Sequence, residues 1–383
     1  MTMAEATLSP RLAGKFDPAF ARIADTLAAM LASGEETGAA LTVLASGRPV
    51  VEIHGGVADA ANGRDWRHDT LACCFSVSKG VLSILTHRLV DQGRVDLDAP
   101  VCRLWPEFAA NGKADITVAD VLTHRAGLPA VSAPLAAGDL YDWFTMTDAL
   151  ARSAPVVPLD GRPAYHNMTY GYLLGEILRR ATGRALADLV AEEVAAPLGA
   201  DFGFALSDPD IRRAARMRQD DPGSLFRTLE AEPDSLFSRS MAGFASGEDF
   251  NSERWRRATI GSGSGHATAT GLARIFGVFG RRAVFLSPER KRAAGTERTR
   301  SLGDDPVLGV PIRLAEGLEL SLPPSFDFGP SADAVGHWGA GGAFAFADPE
   351  ADLAVGFVTA RMAPGMGSSD RSRRLVAALY DCL

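Results

Sequence analysis

Apolar residues recur at helical spacing from Phe20 through Ile23, Leu27, Met30 and Leu31. Asp17 and Pro18 supply a cap and a first-turn proline, and Gly34 a stop, so the pattern predicts an amphipathic helix. Two short runs rich in β-branched residues follow, 39–46 (AALTVLAS) and 49–55 (PVVEIHG), separated by Gly47-Arg48. They predict a hairpin, so the chain is expected to open helix, strand, strand. From 76 to about 92, Val77, Val81, Leu82, Leu85 and Leu89 form a broad apolar stripe ended by Gly93, the pattern of a buried helix.

Helical patterns dominate 115–200: TVADVLTH, the stretch from Thr169 to Arg180 closed by Thr182-Gly183, and LADLVAEEVA before Pro197. Between 200 and 260 the charge rises and periodicity fades, with Asp220-Asp221-Pro222-Gly223 marking a turn, so irregular loops are expected. Long loops often border functional clefts, which makes Phe202, Phe204, Phe226 and Phe237 candidate pocket walls, with ordinary core as the equal alternative. A helix near 267–280 precedes glycine turns alternating with β-like runs over 335–360, and 369–382 reads as a capped amphipathic helix. Strands at both ends with helices between predict an α+β fold. In it an antiparallel sheet, flanked by the N- and C-terminal helices, carries a large, mainly helical insertion. The expected division is a discontinuous α/β lobe, 15–72 with 300–383, and a helical lobe, 73–299, with the active site between them.

Composition narrows the function classes. With 383 residues, 46% hydrophobic and 22% charged, the chain is neither disordered nor fibrous. No apolar run approaches the roughly 18 to 20 residues of a bilayer span, so no membrane role is expected. A net charge of −8 lacks the positive potential that nucleic acid requires, which points to a small or uncharged ligand. Four cysteines, two of them adjacent at Cys73 and Cys74, make no disulfide framework, and the N-terminal segment lacks a secretory pattern. A cytoplasmic protein with reduced thiols is expected; its oligomeric state is left open.

The chain has four lysines, Lys15, Lys79, Lys113 and Lys291. Ser76-Val77-Ser78-Lys79 is an S-x-x-K motif, which on a helix puts hydroxyl and amine on one face. Burial would lower the lysine pKa and let the amine take the serine proton, and Ser76 at the helix start has free N–H groups beside it for an oxyanion. The same four residues also fit a helix-capping serine and a solvated lysine. Gly261-Ser262-Gly263-Ser264-Gly265 has glycine where a nucleophile elbow needs serine and reads as a flexible loop. The seven histidines show no metal-ligand spacing, and no phosphate or dinucleotide fingerprint follows a strand, so chemistry without metal or cofactor is expected. Two further candidates are Tyr165-His166-Asn167 and His337-Trp338-Gly339-Ala340. A tyrosinate could act as base if cations lowered its pKa, and Asn167 could donate to a substrate carbonyl; taken alone, the pair is better explained by aromatic packing and helix capping. The glycines after His337 suit either substrate approach or a plain hairpin turn.

S-x-x-K, then Y-x-N, then a glycine-containing triplet on a late strand together resemble the serine β-lactamase and penicillin-binding-protein family. The likeness is to the class C type and, most nearly, to the family VIII carboxylesterases. Leu104-Trp105-Pro106-Glu107-Phe108, Leu122-Thr123-His124-Arg125-Ala126-Gly127-Leu128-Pro129, Leu173-Leu174-Gly175-Glu176 and Asp348-Pro349-Glu350 extend it over roughly residues 40–380. The resemblance implies Ser76 as nucleophile, Lys79 and Tyr165 sharing the proton transfers, and the backbone N–H groups of Ser76 and Ala340 as oxyanion hole. It also implies that Asn167, His337, Trp338 and Gly339 bind substrate. Penicillin-handling members begin the triplet with lysine; a neutral imidazole binds a carboxylate less well, and an indole offers apolar surface, so an uncharged ester is favoured over a β-lactam. His166 within Y-x-N also resembles the esterase branch. The expected activity is hydrolysis of short-chain esters through an acyl-serine, with weak β-lactam hydrolysis beside it. Acyl transfer by the same mechanism, or acylation by β-lactams with little turnover, stand as alternatives.

Overall fold

A computed structural model of the chain describes residues 4–5, 12–136, 138–219, 232–241, 250–365 and 367–383. The expected turn at Asp220–Gly223 and the candidate wall Phe226 lie outside the described residues.

Among the described residues, eleven strands form one antiparallel sheet. From one edge it runs β1 (Ala4–Glu5), β2 (Leu12–Phe16), β4 (Arg48–Asp59), β3 (Gly38–Ala45), β14 (Leu353–Thr359), β13 (Phe344–Asp348), β12 (Val335–Trp338), β11 (Glu319–Leu320), β10 (Arg313–Leu314) and β9 (Thr299–Arg300). The short β5 (Arg64–Asp65) pairs with β4 off this path. A separate three-stranded sheet joins β6 (Ala72–Cys73), β8 (His266–Ala267) and β7 (Phe202–Gly203). The expected β3–β4 hairpin forms, but it turns at Ser46-Gly47, both at positive φ, one residue before the expected Gly47-Arg48, and Arg48 already belongs to β4. β3 then pairs with β14, Val43 opposite Val355 and Leu41 opposite Phe357, which joins the two ends of the chain in one sheet. The expected opening of helix, strand, strand needs correction: β2 precedes the first helix and pairs with β4. Its five residues, interrupted by glycine, are too short to show a period.

Side-chain size on alternate residues decides what each face of the sheet carries. Leu41, Val43, Phe344, Phe346, Val355 and Phe357 point to one face and form a core with helices α1 (Ala21–Ser33) and, at the C-terminal end, Asp370–Tyr380. Full burial of each of these phenylalanines contributes about 1.5–3 kcal/mol. Ala40, Thr42, Ala345, Ala347, Ala354 and Gly356 point to the other face. Their small size lets the helix Ala269–Phe276 pack directly on the backbone, where a Cβ on Gly356 would come within 2.2 Å of the Ala269 carbonyl oxygen. That helix lies within the stretch expected to be a helical insertion, yet it packs on the sheet.

On the same side lies α2 (Val77–Asp91), buried over almost its whole length as the stripe predicts, and further along the chain, after the shorter helices Val118–Leu122 and Trp143–Arg152, comes α3 (Thr169–Thr182). Leu186–Val190 continues through a wide turn, Ala191–Ala195, into Ala196–Leu198, so the helix passes Pro197 instead of ending before it. All four cysteines are free thiols.

Candidate active site

Three segments distant in sequence meet at the start of α2: its own N-terminus, the loop before α3, and β12 with the turn that follows. Phe75 holds φ at +45°, a conformation that a non-glycine residue keeps only under tertiary constraint; its ring stands edge-on to Phe250 at 4.7 Å. The bend delivers Ser76 to the head of α2 with 8% of its surface exposed. Ser76 makes no side-chain capping bond. Its hydroxyl oxygen instead accepts a hydrogen bond from Lys79 Nζ at 2.8 Å, and Nζ also donates to the Ser262 carbonyl at 3.2 Å. Lys79 is fully buried, so a capping serine with a solvated lysine is not what the fold contains. Burial lowers the Lys79 pKa to about 7, with the Glu319 carboxylate pulling it partly back up. Near neutral pH a large share of the amine therefore carries a free lone pair.

Tyr165 is 2% exposed, its ring 4.9 Å from Lys79 Nζ. Burial, with Glu319 adding to it and Ser76 drawing it partly back down, pushes the phenol well above its usual 10. The cation-lowered pKa that a tyrosinate base would need is not found here, because burial raises the phenol instead. The ring is held by His124, which stacks between Tyr165 at 4.6 Å and Tyr170 at 4.7 Å. His124 Nδ1 accepts the His166 backbone N–H at 2.9 Å and its pKa is pushed well below 6.5, chiefly by burial, so it stays neutral. His166 spans the loop, Nδ1 donating to the Ala164 carbonyl at 2.6 Å and Nε2 accepting from Leu128 N–H at 3.1 Å. Asp305, which the sequence did not single out, takes the Tyr165 N–H at 3.0 Å. Asn167 is buried with its amide nitrogen 3.0 Å from the Met241 sulfur, a weak acceptor that a substrate carbonyl could replace.

The third segment approaches through two glycines. A Cβ on Gly80 would meet the Phe276 ring at 2.7 Å and His337 Cβ at 3.1 Å, and one on Gly339 would meet the Cys74 carbonyl oxygen at 2.3 Å. Gly339 therefore sets how closely the turn approaches the nucleophile's strand. Among the described residues, neither the Ser76 nor the Ala340 N–H has a backbone acceptor, which leaves two donors on adjoining backbone segments. His337 is buried facing α2, and its Nδ1 donates to the Trp338 carbonyl at 2.8 Å. Burial and the Lys79 charge lower its pKa to about 3. Trp338 requires a correction: strand alternation turns its ring to the opposite face, stacked on Phe328 at 5.6 Å and against Phe344 at 4.7 Å, so it offers no wall to the site.

Of the candidate pocket walls, Phe202 and Phe204 are core, edge-to-face at 5.4 Å, while the half-buried Phe237 packs beside Tyr165. The loop 261–265, expected to be flexible, is buried: Ser262 Oγ donates to the Met168 carbonyl at 2.8 Å and accepts Gly171 N–H at 2.6 Å. The other lysines lie elsewhere, Lys113 on the carbonyls of Ala110, Ala151 and Ser153, Lys291 on those of Gly280 and Ala283, and Lys15 beside Glu52. Glu319 is the residue the sequence reading missed most; the only signal was a carboxylate set between two buried leucines, Leu318 and Leu320. A separate cleft of about 870 Å³, lined in part by Lys15, Glu52, His54, His68 and Asp201, is not lined by Ser76, Lys79, Tyr165 or His337. Among the described residues, no cluster of three or more His, Cys, Asp or Glu has metal-binding geometry, and no helix is long and apolar enough to cross a membrane.

A family model described as Beta-lactamase matches residues 23–379. The esterase/beta-lactamase LipL of Mycobacterium tuberculosis is 33% identical over 94% of this chain and 86% of its own length. A penicillin-binding protein homolog from Caulobacter crescentus superposes with TM-score 0.87 at 34% identity, covering 97% of this chain and 100% of that one. A family VIII carboxylesterase superposes with TM-score 0.87 at 32% identity, again covering 97% and 100%.

Proposed function

This chain belongs to the beta-lactamase family; it is a serine hydrolase, and we propose that it cleaves short-chain carboxylic esters through an acyl-enzyme on Ser76. The observation that carries the reading is the 2.8 Å contact of a fully buried, pKa-lowered Lys79 amine with the Ser76 hydroxyl. The neutral amine takes the Oγ proton as Oγ bonds to the carbonyl carbon, and the displaced electron pair settles on oxygen between the N–H groups of Ser76 and Ala340. Removing one such donor typically costs about 10²–10³ in kcat. As the carbon–oxygen bond of the leaving alcohol breaks, the protonated Tyr165 and the Lys79 ammonium supply its proton. Water then attacks the acyl-serine by the reverse sequence of proton transfers. Asn167 orients the acyl side.

An uncharged ester is favoured because His337, where penicillin-handling relatives carry a cation, is neutral with its proton committed to the Trp338 carbonyl. A β-lactam carboxylate thereby loses a charge-assisted hydrogen bond of about 1.5–3 kcal/mol. Nitrophenyl esters of increasing acyl length, assayed beside a chromogenic cephalosporin, are expected to favour the short esters, exceeding the cephalosporin in kcat/KM by about 10- to 100-fold. Cephalosporin turnover without ester turnover would contradict the reading. A lasting adduct without product would favour a penicillin-binding role, and acyl transfer to added alcohol an acyltransferase.

The division into a lobe of 15–72 with 300–383 and a lobe of 73–299, with the site between them, is part of the same proposal. Pairing of β3 with β14 supports it, and the helix Ala269–Phe276 on the sheet blurs its boundary. A cytoplasmic location is also proposed; four free thiols favour a reducing compartment.

A further inference from the structure

His124 follows the short helix Val118–Leu122 and its cap Thr123, and it holds φ at +58°. A left-handed residue just past a helix end is usually glycine, sometimes asparagine, because a Cβ makes the conformation costly. Here a buried histidine bears the strain. Its carbonyl and its imidazole reach the same stretch of chain: the carbonyl accepts the Ala164 N–H at 3.0 Å, and Nδ1 accepts the His166 N–H at 2.9 Å. Tyr165 lies between these two anchors. The His124 ring stacks on the Tyr165 ring at 4.6 Å and is backed by Tyr170 at 4.7 Å, while the Tyr165 N–H goes to Asp305 at 3.0 Å.

We propose that His124 is a positioning residue for Tyr165, gripping its backbone on both sides and its ring on one face so that the phenol is held beside the Lys79 amine. The inference rests on the acyl-Ser76 chemistry proposed above and on the part Tyr165 takes in its proton transfers. The Tyr165 ring is 4.9 Å from Lys79 Nζ, and a misplacement of about 1 Å in such a site can cost about 10²-fold in rate. Burial keeps the imidazole neutral, so Nδ1 remains an acceptor for the His166 N–H. A helix end alone would need only the backbone conformation, which glycine or asparagine takes at lower cost. Neither of them has an aromatic ring to lay on Tyr165.

The test is a double-mutant cycle on kcat for nitrophenyl acetate, with His124→Phe and His124→Asn each made alone and together with Tyr165→Phe. The first keeps a ring but no acceptor; the second keeps an acceptor and suits the positive φ but has no aromatic ring. Tyr165→Phe alone is expected to cost about 10² or more in kcat. With Tyr165 present, each His124 variant is expected to lower kcat about tenfold and to change KM by less than about twofold, since the phenol serves proton transfer and not binding. With Tyr165→Phe already made, either variant is expected to cost less than about twofold more. Should His124→Phe fail to fold, His124→Asn carries the cycle by itself. An unchanged kcat in the His124 variants, or the same loss in both backgrounds, would overturn the inference alone and leave His124 a helix end. Full kcat in Tyr165→Phe would overturn the inference together with the role of Tyr165, and a wild-type protein inert to nitrophenyl esters would overturn the ester reading and the inference with it.

Discussion

Ser76→Ala is expected to lower kcat/KM toward short nitrophenyl esters by about 10⁴-fold or more, while the thermal midpoint moves by no more than about 4 °C. The loss is large because, among the described residues, no other serine or threonine hydroxyl is hydrogen-bonded to Lys79. Ser78 is on the same helix but bonds toward Cys74 at 3.7 Å, and Ser262 and Ser264 spend their hydroxyls on backbone carbonyls. What remains would be the oxyanion donors and binding, which keep a residual rate above that of water in serine hydrolases generally. Stability should change little, because the substitution removes one hydrogen bond of about 0.5–1.5 kcal/mol and no packing volume of consequence. Thermal melting run beside the assay separates a dead site from an unfolded protein. A variant retaining full esterase activity would contradict the nucleophile assignment.

The second large effect concerns Lys79. In the wild-type protein kcat/KM should rise with pH through about 7, because the amine acts as base only when neutral and is protonated below that pKa. Lys79→Met fills a similar volume without the amine and is expected to lose about 10²–10⁴ in rate and the acid limb with it. The fold should persist, since the exchange removes a buried ionisable group and leaves one carbonyl, that of Ser262, short of a donor. A limb that survives in Lys79→Met would assign the titration to another group.

The periodic elements were legible in the sequence. Helix α2 and the C-terminal helix appear within one or two residues of their expected ends, because long apolar stripes with caps or stops leave few alternatives. The pairing of strands from both termini was also legible, since a lone hairpin needs partners. The two-residue strands β9–β11 were not, because they carry no period and exist only through what they pair with. In the site, the order of motifs brought Ser76, Lys79, Tyr165 and the His337 strand together. Trp338 was misread because residue type says nothing about which face of β12 a side chain takes, and adjacent residues on a strand point opposite ways. The raised Tyr165 pKa was not legible because it comes from burial, and the His124 ring stacked on Tyr165 belongs to a segment its own does not reveal. Asp305 and Glu319 reach the site from 140 residues or more away from Tyr165, through contacts without a local signature.

The most direct measurement is the mass of the covalent intermediate. The protein is mixed briefly with a slowly deacylating nitrophenyl ester, quenched in acid, digested and mapped by mass spectrometry. The expected result is one acyl group per chain on the peptide containing Ser76, formed at the rate of the nitrophenol burst and absent in Ser76→Ala. An acyl group on another residue, or a full burst from Ser76→Ala, would contradict an acyl-Ser76 mechanism.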